Sequence, residues 1–225
     1  MTRLNWINPE DYTFDAMLLM ERFQIRYMLS IPVPEYRRDM GIALKANPKV
    51  AWYFSHKCPE MAETVQEIIQ SAPDADSATV HNCEQRIIGG AEDFIIYTTP
   101  ERMAAQCDFI YGWDEARLFE MCDFYDKIVL DVGSGSGRLA IAAAKYAKLV
   151  IASEPVDSLR EYMRDEIRKN GITNMRVCDG MCDCLPFPDD TFDIVMSGHV
   201  VGDRVQEEVA ELTRIVKPGG WLLDC

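Results

Sequence analysis

"VLDVGSGSGRLA", Val129 to Ala140, decides the fold of this chain. An apolar run ending in Asp131 leads straight into Gly133, Gly135 and Gly137, which alternate with serines, and then into the alanine-rich "GRLAIAAAKYA". A strand, a glycine turn and a helix in that order make a ligand loop. Without a Cβ the backbone can approach a bound molecule closely, and unusual dihedrals carry little cost.

Outward from this stretch, strand and helix alternate to residue 225. "KIVLDV", "LVIASE", "MRVCDG", "FDIVMSGHV" and "WLLDC" read as strands. "VDSLREYMRDEIRKN", stopped by Asn170-Gly171, reads as a helix. So does "DRVQEEVAELTRIV", with Val205, Val209, Leu212 and Val216 as one apolar stripe, and "KPGG" reads as the turn after it. Near-continuous apolar strands between helices predict an α/β fold, a Rossmann-like doubly wound parallel sheet in the order 3-2-1-4-5.

The first ~115 residues have a helical rhythm. Phe14, Leu18, Ile25 and Met28 approximate one face after Pro9, and Pro34, Pro48 and Pro59 each open a further helical pattern. "PDADS" (73–77) reads as a turn or cap. "FIIYTT" (94–99), β-branched and bounded by Gly-Gly and Pro, reads as a short strand. The expected division is 1–115, a helical N-terminal lid or substrate region, and 116–225, the ligand-binding core. No Gly/Ser linker interrupts 110–127, so the N-terminal helices are expected to cover the carboxyl edge of the sheet.

Composition narrows the partners. The 225 residues carry a formal net charge of -14, and no basic run is longer than the two residues of Arg37-Arg38, so phosphate backbones and anionic membranes are disfavoured. The opening "MTRLNWINPEDYTF" has no apolar core of signal-peptide type, and no apolar run approaches membrane-spanning length. A cytoplasmic protein is expected. The eight cysteines do not form a disulfide framework for a chain of this size. "HKC" (56–58), "HNC" (81–83) and "CDGMCDC" (178–184) lack the Cys-x2-Cys spacing of a zinc site, so buried or incidental thiols and no metal are expected.

Two ligands compete for the glycines. Gly135, Gly137 and Ala140 fit the dinucleotide form G-x-G-x-x-A, whereas Gly133, Gly135 and Gly137 fit the G-x-G-x-G form used for S-adenosylmethionine. Asp131 favours the second, because a carboxylate there serves a ligand bearing an ammonium and a sulfonium and does nothing for a pyrophosphate. Glu154, ending the second strand, suits ribose hydroxyls in either case. Asp179, ending the third, is placed to accept from an adenine amino group.

With "SEP", "DGMCDCLPFPDDTFDIVMS" and "ELTRIVKPGGWLL" added, residues from about 127 to 225 resemble a class I S-adenosylmethionine-dependent methyltransferase, similar to the ubiquinone/menaquinone-biosynthesis group. The resemblance implies S-adenosyl-L-methionine as cofactor and a small-molecule methyl acceptor. It lays Gly133, Ser134 and Gly135 along the methionine part of the donor, with Asp131 toward its amino group, and counts Gly137 among the cofactor-binding residues. Glu154 holds the ribose, with Pro155 or Val156 against the adenine. Asp179, Gly180 and Met181 flank the adenine, and Ser197 and His199 end the fourth strand beside the sulfonium.

Plainer readings stay open: Asp131 as a helix cap, Ser197 and Gly198 as close-packing positions, Pro186, Pro188, Asp189 and Asp190 as a shaped loop. His199 is the candidate general base if the acceptor is protonated. Asp203 is a weaker one, or an N-cap. Tyr111, Trp113, Trp52, Tyr53 and Phe54 either wall an acceptor site or pack the core. A donor-binding module without turnover and an NAD-dependent oxidoreductase are the alternative functions.

The family's sheet continues beyond a fifth strand, so "WLLDC" is expected to leave an open apolar edge. Pairing with "FIIYTT", cover by a second subunit in a homodimer, or an incomplete version of a longer chain would each resolve it, and the last is the expectation.

Overall fold

The computed structural model describes residues 6–107, 113–202 and 204–225. It divides into two compact units, Met1–Arg102 and Met103–Cys225.

The first unit is helical. Two short 3-10 turns, Pro9–Asp11 and Phe14–Leu19, precede α1 (Arg22–Ser30), α2 (Pro34–Ala46), α3 (Pro48–Lys57), α4 (Ala62–Ser71), α5 (Ser77–Gly90) and α6 (Glu92–Tyr97), and α7 (Pro100–Gln106) runs across the boundary between the units. Proline sits in the first turn of α2 and α3, where a missing N–H costs nothing. "PDADS" resolves into a cap: the Asp76 carboxylate accepts the Thr79 N–H at 2.8 Å and starts α5. Met17, Met20, Met28, Met40, Phe54 and Ile88 are among the side chains filling the core.

"FIIYTT" is not a strand. Phe94 and Ile95 lie in α6, whose first N–H groups return to the Ala91 carbonyl at 2.9 and 2.8 Å. The chain leaves α5 with acidic Glu92 and Asp93 in the new first turn, Ile95 joins the helical core, and Ile96 is fully buried. Burial against helices overrides β-branched composition. Pairing of this segment with the last strand is thereby excluded.

The second unit holds α8 (Ala116–Met121), β1 (Ile128–Val132), α9 (Arg138–Ala143), β2 (Leu149–Ser153), α10 (Asp157–Lys169), β3 (Met175–Cys178), β4 (Phe192–Ser197), α11 (Val205–Ile215) and β5 (Val216–Asp224). The five strands are parallel, in the order β3-β2-β1-β4-β5, as the sequence predicts. Asp131 stands opposite Ala152 and Met196, and Val132 opposite Ser153 and Ser197. Alternation splits β1 between two apolar layers: Val129 joins Leu118, Leu139 and Ala143, and Leu130 joins Leu212 and Ile215. Asp193 ties three strands, accepting the Ile128 N–H of β1 and the Lys217 ammonium of β5, each at 2.8 Å.

Two expectations for the last elements are corrected. On α11 only Leu212 and Ile215 of the apolar positions are buried; Val205 and Val209 are 51% and 41% exposed, and Val216 belongs to β5. The expected stripe is offset by one position at its C-terminal end, because the helix ends at Ile215. "KPGG" does not separate helix from strand either. It lies within β5 as an irregularity, with Phe192 opposite Val216 and Ile194 already opposite Trp221. Trp221 and Leu222 are exposed on this edge strand.

Candidate functional site

The ends of β1, β2, β3 and β4 bring the expected positions to one edge of the sheet, where ligands bind in such folds. Gly133, Gly135 and Gly137 all have left-handed backbone, at φ 62°, 57° and 89°. At Gly133 the bareness is already used by the protein: a Cβ there would lie 2.4 Å from Val200 Cγ2. Gly137, the N-cap of α9, is packed on Met163, whose Cγ would stand 3.0 Å from an added Cβ. Ser134 is buried, and its hydroxyl donates to the Asp131 carbonyl at 2.9 Å.

Asp131 has two halves. Its Oδ2 accepts the Ala140 N–H at 3.0 Å, the capping contact left open above. Its Oδ1 is buried with no hydrogen-bond partner among the described residues. Burial pushes this carboxyl up to about 7, against the pull of the nearby Ser134 hydroxyl, the Ala140 N–H and Arg138.

Glu154 is buried and its oxygens are each engaged once. Oε2 accepts the Gly135 N–H at 2.9 Å and Oε1 the Val156 N–H at 3.0 Å. The carboxylate ties the glycine loop to the start of α10. Burial raises it to about 7, while the two N–H groups favour the ionised form. Pro155 is half-buried, whereas Val156 is core and the N-cap of α10. Asp179 is open, its side chain 76% exposed. Gly180 packs on Ser153, whose hydroxyl donates to the Gly180 carbonyl at 3.3 Å, and Met181 bridges to Cys184.

Ser197 is buried at the end of β4, and its carbonyl accepts the Cys225 N–H at 2.8 Å. His199 is exposed just beyond it with φ 60°, uncommon for a residue other than glycine. Tyr111 and Asp203 lie outside the described residues. Of the aromatic candidates in the helical unit, Phe54 is fully buried core. Tyr53 donates to the Met20 carbonyl at 2.9 Å, and Trp52, 62% exposed, stacks on His56. Trp113 lies under the guanidinium of Arg138.

The cysteine patterns have other neighbours. His56 Nδ1 lies 2.7 Å from the Trp52 carbonyl, and the Cys83 thiol donates to Asp39 at 3.3 Å. None of the eight cysteines is in a disulfide, and among the described residues no three His, Cys, Asp or Glu side chains gather as a metal set.

Arg160 belongs to no motif of the sequence. From α10 it donates to the Glu154 carbonyl at 2.7 Å and to Asp157 at 2.8 Å, and it reaches Asp179 at 3.5 Å. It links the ends of β2 and β3, and its i,i+3 spacing from Asp157 was the only sequence signal.

The acceptors at this edge fit S-adenosyl-L-methionine. The orphaned Asp131 Oδ1, the second lone pairs on Glu154 and the open Asp179 carboxylate offer three acidic groups to a ligand rich in donors and carrying positive charge.

Residues 130–224 match a family model described as a methyltransferase domain. The "uncharacterized methyltransferase YcgJ" of Bacillus subtilis (strain 168) is 34% identical over 98 residues, 42% of this chain and 38% of that protein. The "uncharacterized methyltransferase C1B3.06c" of Schizosaccharomyces pombe is 40% identical over 105 residues, 42% of this chain and 37% of its own length. The "ubiquinone/menaquinone biosynthesis C-methyltransferase UbiE" of Marinomonas sp. (strain MWYL1) is 35% identical over 105 residues, 42% of this chain and 40% of that protein. The match therefore spans about two fifths of the length of these curated relatives.

Proposed function

We propose that the chain is a class I S-adenosylmethionine-dependent methyltransferase, the family that residues 130–224 resemble, and that it transfers a methyl group to a small-molecule acceptor. The single observation that carries this reading is the acidic series Asp131, Glu154 and Asp179 around the left-handed glycine loop, inside the matched residues. S-adenosyl-L-methionine, when bound, supplies a methyl group on a sulfonium that is already a good leaving group. The protein's contribution is then mostly alignment and exclusion of water. Asp131 and Asp179 offer free carboxylate oxygens to the ligand's ammonium and amino groups, and Glu154 offers its remaining lone pairs to the ribose. His199 serves as the base for an acceptor that must lose a proton. Acceptor selection is assigned to residues 1–115. The likeness to UbiE supports a small organic acceptor, and the net charge of -14 speaks against nucleic acid. Eight cysteines with no disulfide among them suit the reducing cytoplasm, and among the described residues no helix is long and apolar enough to cross a membrane.

Two measurements test this. Calorimetry should show binding of S-adenosylmethionine and S-adenosylhomocysteine but not of NAD. A donor labelled in its methyl group should label a fraction of a small-molecule extract only when protein is present. Binding without any labelled product would leave a donor-binding module and sink the enzyme.

A further inference from the structure

Arg138, the first residue of α9, holds a half-buried guanidinium with no hydrogen-bonded or ion-paired partner among the described residues. The other half-buried arginines all have one. Arg37, Arg160, Arg164 and Arg214 donate to backbone carbonyls, the last three also to carboxylates, and Arg102 donates to the Tyr12 hydroxyl. Arg138 instead lies flat on Trp113, its guanidinium carbon 4.6 Å from the ring centroid. Its Nη2 would stand 3.1 Å from a Cβ built on Gly198, and the Cys225 carbonyl oxygen 3.2 Å from the same point. Gly198 follows β4 and Cys225 follows β5, so the cation sits at the carboxyl ends of those two strands.

Even a half-buried cation gains from hydrogen-bond partners. Burial pulls the Arg138 pKa down, and Asp131 is the acid that most opposes this. A planar fork backed by an indole presents paired donors in the geometry a carboxylate takes. The neighbouring Asp131 makes the place less suited to a dianion. Glu154 and Asp179, assigned to the donor's ribose and adenine, stand beyond β1 on the other side, at the ends of β2 and β3, while Asp131, assigned to its ammonium, lies between, and Ser197, assigned beside the sulfonium, directly precedes Gly198. We propose that Arg138, backed by Trp113, binds a carboxylate of the methyl acceptor at the Gly198 edge of β4, an assignment that rests on the methyl-transfer reading above.

The test uses the whole chain, with benzoate as probe and benzamide as its uncharged counterpart. Calorimetry on the wild-type protein should detect benzoate and not benzamide, and benzoate should shift the Arg138 Nε–H resonance. Arg138→Gln should weaken benzoate by about tenfold or more, the loss expected for a charged hydrogen bond. Arg138→Lys, which keeps the charge without the fork, should weaken it less. Trp113→Leu should also weaken it. S-adenosylhomocysteine affinity should stay within about twofold throughout, and far-ultraviolet melts identify any variant that fails to fold; Arg138→Lys and Trp113→Leu then carry the comparison. Benzoate bound equally by the wild type and Arg138→Gln, or by neither, overturns the proposal. A tenfold loss of S-adenosylhomocysteine affinity in Arg138→Gln would give the carboxylate to the donor and overturn the assignment to the acceptor. S-adenosylhomocysteine failing to bind the wild type would instead defeat the methyl-transfer reading, and the benzoate titration would still decide whether Arg138 holds a carboxylate.

Discussion

At Gly133 a glycine often credited to ligand approach is needed by the protein itself. An alanine there would meet both φ 62° and Val200. Gly133→Ala should cost roughly 1–3 kcal/mol in denaturant unfolding, a strained backbone plus overpacking. Val200→Ala in the same protein should recover part of the loss, because it removes the clash and not the dihedral. Full recovery would show that the backbone carries no strain. Glu154 makes a similar point. Its place at the end of β2 was legible from its position after an apolar run, but its hold on the Gly135 N–H was not, since no pattern in the sequence reports a contact between loops. Glu154→Ala should weaken S-adenosylhomocysteine by roughly 1–3 kcal/mol. An unchanged affinity would leave Glu154 a tie within the loop and remove it from the ligand's partners.

The elements show where pattern reading succeeds. All five strands and their order were legible, because each strand is an apolar run followed by a turn or helix signal, and a right-handed crossover leaves few alternatives. "FIIYTT" failed because six residues carry too little periodicity to separate a strand from one buried helical turn and a half. Val205 and Val209 failed because an apolar position on a helix is buried only where something covers it. Arg160 is an element-scale device: one side chain of α10 holds the ends of β2 and β3 in place. Arg160→Lys keeps the charge but cannot serve Glu154, Asp157 and Asp179 together. It should lower the unfolding midpoint and weaken S-adenosylhomocysteine binding, with a smaller effect on adenosine-free fragments such as homocysteine. Equal losses for both ligands would mean that the defect is general and not confined to the β2 and β3 ends.

For the whole molecule the governing quantity is negative charge. The chain carries a formal net charge of -14, and within it Asp131 and Glu154 are buried, each raised to about 7. In the unfolded chain both titrate near 4. Between about pH 4 and pH 7 the folded protein therefore binds more protons than the unfolded one, and its stability falls as the pH rises through that window. The ligand-free protein should melt higher at pH 5.5 than at pH 7.5. Surface repulsion acts in the same direction, but salt screens it, whereas the buried pair is screened much less. At high salt the slope that survives should belong to the pair, and Glu154→Gln and Asp131→Asn should each flatten it. A cationic ligand reverses the balance, because it favours the ionised carboxylates. The stabilisation by S-adenosylmethionine should grow as the pH rises through 7, and should grow more than that by S-adenosylhomocysteine, which lacks the sulfonium charge. Melting curves that keep the same high-salt slope in both variants, with equal pH dependence for the two ligands, would place the proton-linked groups elsewhere in the fold.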